Sequence, residues 1–182
     1  MEATDRYRRK KEAQHMSTFR ELFLEQLGDI YSAETQIAKA LPKLVEAATD
    51  DVLKDALSTH LHETHKQIER LEQVFEELGE KPVKMCMGMK GLLKEGDEGL
   101  EKGLSGPLGD ALIISNAQRV EHYEISAYGT AVAWARQLDL DEVADLLDES
   151  LDEEAAADEK LTSIAESGLL TAGLNEEAVG RK

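Results

Sequence analysis

The stretch RVEHYEISAYG, residues 119–129, puts a glutamate, Glu124, where a helical apolar stripe calls for leucine or isoleucine. Read in steps of three and four, that stripe is Ile113, Ala117, Val120, Glu124, Ala127, Ala131, Trp134, Leu138, apolar on both sides of its middle. Two other segments repeat the anomaly. One reads Phe23, Leu27, Ile30, Glu34, Ile37, Leu41, Leu44, Ala48, and the other Val143, Leu147, Ser150, Glu154, Ala157, Leu161, Ile164. A fourth reads Leu53, Leu57, Leu61 or His60, Thr64, Ile68, Leu71, Phe75, Leu78, with threonine at the corresponding place and His60, Glu63 and Gln67 flanking it.

These stripes predict four long amphipathic helices. The first spans about 18–48, with Ser17 as N-cap and Glu21 close behind it. The second spans about 50–78 and stops at Gly79, with Pro82 beyond. The third runs from Pro107 to about 138, and the fourth covers about 141–167 and ends at Gly168. Pro42 falls inside the first and is expected to kink it. Tight turns at Thr49–Asp50 and Asp139–Leu140 make two antiparallel hairpins. Between them lie the 28 residues EKPVKMCMGMKGLLKEGDEGLEKGLSGP, 80–107, too long for a turn and read as a crossover holding a short, glycine-interrupted helix. Two hairpins joined by one long crossover make an all-α, ferritin-like four-helix bundle. The expected organisation is a disordered leader over 1–16, one bundle over 17–168, and a flexible C-terminal tail over 169–182.

Composition narrows the partners. With 21 Lys and Arg against 38 Asp and Glu, the formal net charge is −17, which argues against nucleic-acid binding. No apolar run approaches the roughly 20 residues of a membrane span, and the charged start MEATDRYRRKKEAQH lacks the apolar core of a signal peptide. The single cysteine, Cys86, forbids an internal disulfide and suits a cytoplasmic protein. The methionines of MCMGM, 85–89, read as packing residues rather than soft-metal ligands.

The polar notches share one level. Glu34 lies fifteen residues before Thr49 and Thr64 fifteen after; Glu124 lies fifteen before Asp139 and Glu154 fifteen after. Equal helical rise brings all four to one height in antiparallel hairpins. Glu121 and Asp158 lie within a quarter turn of their stripe centres, and His60 can also face inward. A buried ionised carboxylate costs several kcal/mol even after relaxation, and several in one layer repel each other. Such a layer is tolerated when protonated, wetted, or filled by cations. Carboxylates from several helices with an imidazole are what a dinuclear iron or manganese site in a bundle requires. The competing reading is a metal-free hydrogen-bond network, in which Tyr31, Tyr123, Tyr128, His60, Gln67 and Arg119 satisfy the acids.

The blocks LFLEQLGDIYSAETQIAKALPKLVEAA, HLHETHKQIERLEQVFEELG, KMCMGMKGLL, DALIISNAQRVEHYEISAYGTAVAWARQL and LLDESLDEEAAADEKLTSIA closely resemble the YciF/YciE-like proteins of the DUF892 family, over about residues 18–166. That resemblance implies a ferritin-like bundle with a fifth short helix, homodimers, a bacterial stress role and kinship with di-iron carboxylate proteins. The wider di-iron pattern is Glu, Glu-x-x-His, Glu, Glu-x-x-His on successive helices. Glu34 and Glu124 match its first and third positions, and Glu121-x-x-Glu124 resembles the paired glutamates of rubrerythrin. The second helix departs from it, offering His60-x-x-Glu63 and Gln67, and the fourth offers Glu153, Glu154 and Asp158 without histidine. One functional reading follows: a dinuclear Fe or Mn centre held by Glu34, Glu124 and Glu154, with Glu121 and Asp158 bridging or terminal and His60 and Glu63 completing the second helix's side. Tyr31 or Tyr128 would tune it, and turnover with peroxide or oxygen would draw on an external reductant. The alternative is a non-enzymatic dimeric stress protein whose acid layer is metal-free or holds one cation.

Overall fold

A computed structural model describes residues 18–82, 85–166 and 173–180. Its helices are α1 Phe19–Ala47, α2 Asp51–Leu78, α3 Met87–Leu100, α4 Gly106–Gln137, α5 Asp141–Glu166 and α6 Leu174–Ala178. The four long helices are those the stripes predict, and α3 is the short helix of the crossover. Helix α1 continues through Pro42. Its N-cap is Thr18, one residue on from the expected Ser17. The Thr18 side chain accepts from the Glu21 N–H while Glu21 accepts from the Thr18 N–H, a complete capping box. Helix α2 ends as expected at Gly79, whose φ of 69° is the left-handed cap conformation that glycine adopts without penalty.

Each hairpin packs along its length, α1 on α2 and α4 on α5, and the hairpins meet through α2 with α5 and α1 with α4. Asp110, buried in the first turn of α4, accepts from the Thr49 N–H at 2.7 Å, the Thr49 hydroxyl at 2.6 Å and the Asp50 N–H at 3.0 Å. The start of α4 is therefore pinned to the α1–α2 turn. Because α3 carries the chain back to that end, all four neighbouring pairs are antiparallel. Among the described residues no helix is long and apolar enough to cross a membrane.

The core divides in two. One cluster contains Ile37, Leu41, Leu57, Ile113, Ala117, Val120 and Leu161. The other contains Phe23, Leu27, Ile30, Leu71, Val74, Ala131 and Leu147. On every long helix the polar notch falls between residues of the first cluster and residues of the second. The leader, 1–16, lies outside the described residues. Of the expected tail, 173–180 is described, and there α6 packs on α4 and α5 and buries Leu174 in the first cluster. That leucine gives the short helix a buried apolar contact.

Candidate metal centre

Between the two clusters, α1 supplies Glu34, α2 supplies His60 and Gln67, α4 supplies Glu121, Glu124 and Tyr128, and α5 supplies Glu154, all at most 5 % exposed. Thr64 marks the expected level on α2, but its hydroxyl donates to the His60 carbonyl one turn back, at 2.9 Å. A short hydroxyl side chain satisfies itself on its own helix in this way. His60 and Gln67, a turn to either side, reach into the centre in its place.

Single ligating atoms of His60, Glu121, Glu124 and Glu154 all lie within 4.8 Å of one another. His60 Nε2 is 3.4 Å from Glu121 Oε2 and 3.9 Å from Glu154 Oε2. Tyr128 donates its hydroxyl to Glu34 Oε1 at 2.5 Å, and Gln67 donates its amide to Glu154 Oε1 at 2.5 Å. The second oxygens have no such donors. Among the described residues, the buried side-chain polar atoms without a hydrogen-bond partner are Glu34 Oε2, both ring nitrogens of His60, Gln67 Oε1, Glu121 Oε2, both carboxylate oxygens of Glu124, and Glu154 Oε2. All belong to this one layer. Folded proteins leave few buried polar atoms unpaired, so a concentration of them needs a cause.

The electrostatics agree. Burial holds the carboxyls of Glu34, Glu121 and Glu124 well above the usual carboxylate range, and the neighbouring acids push them further. For Glu34 the Tyr128 hydroxyl works in the opposite direction. Burial opposes charge on His60, but Glu63, Glu154 and Glu153 outweigh it and hold the imidazole above its ordinary value. Without cations, Glu34, Glu121 and Glu124 hold their protons more tightly than exposed carboxylates do.

The donor set fits hard divalent ions. Glu34, Glu121, Glu124 and Glu154 together carry four negative charges when ionised, the charge of two divalent cations. Oxygen donors with one imidazole suit iron or manganese.

The remaining expected ligands stand apart. Glu63 Oε2 is 3.8 Å from His60 Nδ1, on the outer side of the ring, and is partly exposed. That is the place of a carboxylate that orients a ligating histidine. Asp158, one turn beyond Glu154, accepts from Gln118 Nε2 at 3.1 Å and lies 3.6 Å from His122, so it sits at the α4–α5 seam, outside the four-residue cluster. Tyr31 donates to Glu72, and Arg119 pairs with Asn116 and Glu95 on the surface; neither serves the acid layer. Tyr123 donates to Asp29 at 2.6 Å and touches Cys86 Sγ at 3.0 Å, bracing α3 against α1 and α4. Burial raises the Cys86 thiol, which favours its neutral, packing role.

Three structural residues escaped the sequence reading. Arg70 grips both oxygens of Glu153, at 2.6 and 2.8 Å, and also reaches Ser150 and Glu149. It thereby holds Glu153 in an ion pair, outside the four-residue cluster. An arginine one turn after Gln67, facing an acid-rich helix, was the available signal. Asp110 and Asp29 bind partners 60 or more residues away, and no local pattern announces that.

The family model described as a domain of unknown function, DUF892, matches residues 18–174. Protein YciF of Escherichia coli K12 is 44 % identical over 153 residues, covering 83 % of this chain and 92 % of that protein. The crystal structure of the same E. coli stress protein superposes with a TM-score of 0.81 at 41 % identity, over 92 % of this chain and all of that one. YcfI from Rhodopseudomonas palustris, described as a candidate structural protein, gives a TM-score of 0.80 at 49 % identity, over 83 % of this chain and 97 % of its own. A ferritin-like, diiron-carboxylate protein of Bacillus anthracis aligns at a TM-score of 0.62 and 15 % identity, over 81 % of this chain and 97 % of that one, and shares the fold.

Proposed function

The chain belongs to the DUF892 family, and from that premise we propose that it is a ferritin-like protein holding a dinuclear iron or manganese centre that reacts with peroxide or oxygen. One observation carries the reading: every unpartnered buried polar side-chain atom among the described residues belongs to a single layer of acids, an imidazole and an amide. His60, Glu121, Glu124 and Glu154 would hold the ions, joined by Glu34, which lies outside that cluster of four but beside Glu124 and Glu154, with Glu63 orienting His60. Bound there, iron or manganese ions would supply Lewis acidity and redox chemistry toward an oxygen substrate. The chain's own groups do the rest. Glu63, 3.8 Å from His60 Nδ1, would orient the ring by closing to hydrogen-bond distance, while Gln67 fixes one oxygen of Glu154 and Tyr128 fixes one oxygen of Glu34. The two apolar clusters restrict water on either side of the layer. Restoring the reduced state draws on an external reductant. Association into homodimers in the cytoplasm completes the proposal, and sedimentation tests the dimer.

The second reading is a metal-free, non-enzymatic stress protein. It is favoured by the scarcity of imidazole, since His60 is the only histidine in the cluster. Metal analysis separates the two. Protein made in iron- and manganese-supplemented medium should carry two equivalents, Glu124→Gln should lose them, and peroxide consumption should fall with the metal. Protein that stays metal-free and does not change stability on chelation supports the second reading.

A further inference from the structure

A cavity of about 390 Å³ opens to solvent between α2 and α5 and reaches the buried His60 and Glu121, with the partly exposed Glu63 also in its lining. Its walls are Val52, Ala56 and Leu57 from α2 and Ala157 and Leu161 from α5. Asp55 and Lys160, both exposed, stand at the mouth. Room for one water takes about 10–15 Å³ of such space, so the cavity far exceeds what dioxygen or hydrogen peroxide needs. It falls within the roughly 300–1,000 Å³ typical of pockets for organic ligands. Ala56, Ala156 and Ala157 contribute only methyl groups to this lining, so a larger apolar side chain at these positions would take up cavity volume.

The inner end selects the polar head. His60, 5 % exposed, presents two ring nitrogens without hydrogen-bond partners, and Glu121, 2 % exposed, presents an unpartnered Oε2. A hydroxyl or hydroperoxyl head, which both donates and accepts, can pair with either group in the metal-free protein. A carboxylate head would face Glu63 and Glu121 and be repelled.

We propose that this cavity binds the compact apolar body of an organic hydroperoxide, directing its O–OH head toward His60 and Glu121. The substrate class rests on the metal-centre reading above, whereas the binding rests on the cavity alone. The unreactive alcohol of the same shape, 2-phenyl-2-propanol, serves as the probe. Calorimetric titration into metal-free and metal-loaded full-length protein should show saturable binding at one site per chain. Ala157→Phe and, independently, Ala56→Leu fill the cavity without removing a proposed ligand. Each should weaken the alcohol at least tenfold while helicity by circular dichroism and metal content stay at wild-type values. In the metal-loaded protein supplied with an added two-electron reductant, reductive cleavage of the O–O bond of cumene hydroperoxide to 2-phenyl-2-propanol and water should slow in both variants while hydrogen peroxide consumption is retained. No saturable binding by the wild type, or equal binding by wild type and both variants, overturns the cavity assignment and leaves the metal centre standing. Alcohol binding by a chain that takes up no metal sustains the cavity and removes the hydroperoxide chemistry.

Discussion

Replacing Glu124 by methionine should reverse the stability order of the protein depending on whether metal is present. Both carboxylate oxygens of Glu124 are buried without a partner, and the side chain is 1 % exposed. Leaving a buried polar group unsatisfied costs about 1–3 kcal/mol. Methionine removes that cost in a similar volume and adapts to the slot through its three rotatable bonds. For a chain of this size, 1 kcal/mol moves Tm by about 2–4 °C, so metal-free Glu124→Met should melt roughly 2–12 °C above metal-free wild type. Metal acts the other way. At a hundredfold excess over Kd a ligand contributes about 2.7 kcal/mol, or roughly 5–11 °C for the wild type, and the variant, lacking a carboxylate of the layer, should gain little. Calorimetric scans of both proteins, chelated and with Mn²⁺, give four Tm values whose order must cross. A chelated variant that melts below chelated wild type would mean that Glu124 is satisfied by its surroundings, and the argument from unpartnered atoms would fail.

Stability should also depend on pH in a direction opposite to that of most acidic proteins. Glu34, Glu121 and Glu124 have folded-state pKa values raised above the ordinary 4.5, so they keep protons that the unfolded chain releases. Their contribution is full below 4.5 and is lost as pH rises through the raised values; urea midpoints of chelated protein should therefore fall as pH is raised above about 4.5, and excess metal should flatten or reverse that slope. Tyr128→Phe removes the donor to Glu34 Oε1 and should destabilise the metal-free protein by about 1–3 kcal/mol in urea denaturation. Glu63→Ala leaves His60 unoriented and should lower metal affinity about 10–100-fold by competition with a chelating dye, with little change in metal-free Tm. Asp110→Ala strips three hydrogen bonds from the α1–α2 turn and should cost about 2–3 kcal/mol while leaving metal stoichiometry unchanged.

The fold was legible because its signals are periodic. A glutamate interrupting an apolar stripe marks both the helix face and its depth, so Glu34, Glu124 and Glu154 gave the layer from spacing alone. Gly79 marked the end of α2 through its own conformational freedom, and the length of the crossover separated the two hairpins. What stayed hidden depends on side-chain reach rather than period. Thr64 occupies the expected level yet bonds its own helix, and His60 and Gln67 act from a turn away. Asp158 has a suitable phase, but Gln118 and His122 engage it at the seam. Tyr31 and Tyr128 looked equivalent as donors, and only the packing of α1 on α4 directs Tyr128 to Glu34 and leaves Tyr31 with Glu72. The anchoring of α6 through Leu174 depends on a hydrophobic recess formed by distant helices, which no local pattern encodes.

Anomalous scattering from crystals of protein grown with iron or manganese tests the central claim most directly. The account predicts two peaks about 3.5–4 Å apart, the usual separation in two-metal sites, lying among Glu34, His60, Glu121, Glu124 and Glu154. Density for water or protonated carboxyls at that level, with no anomalous signal despite metal in excess, would contradict it.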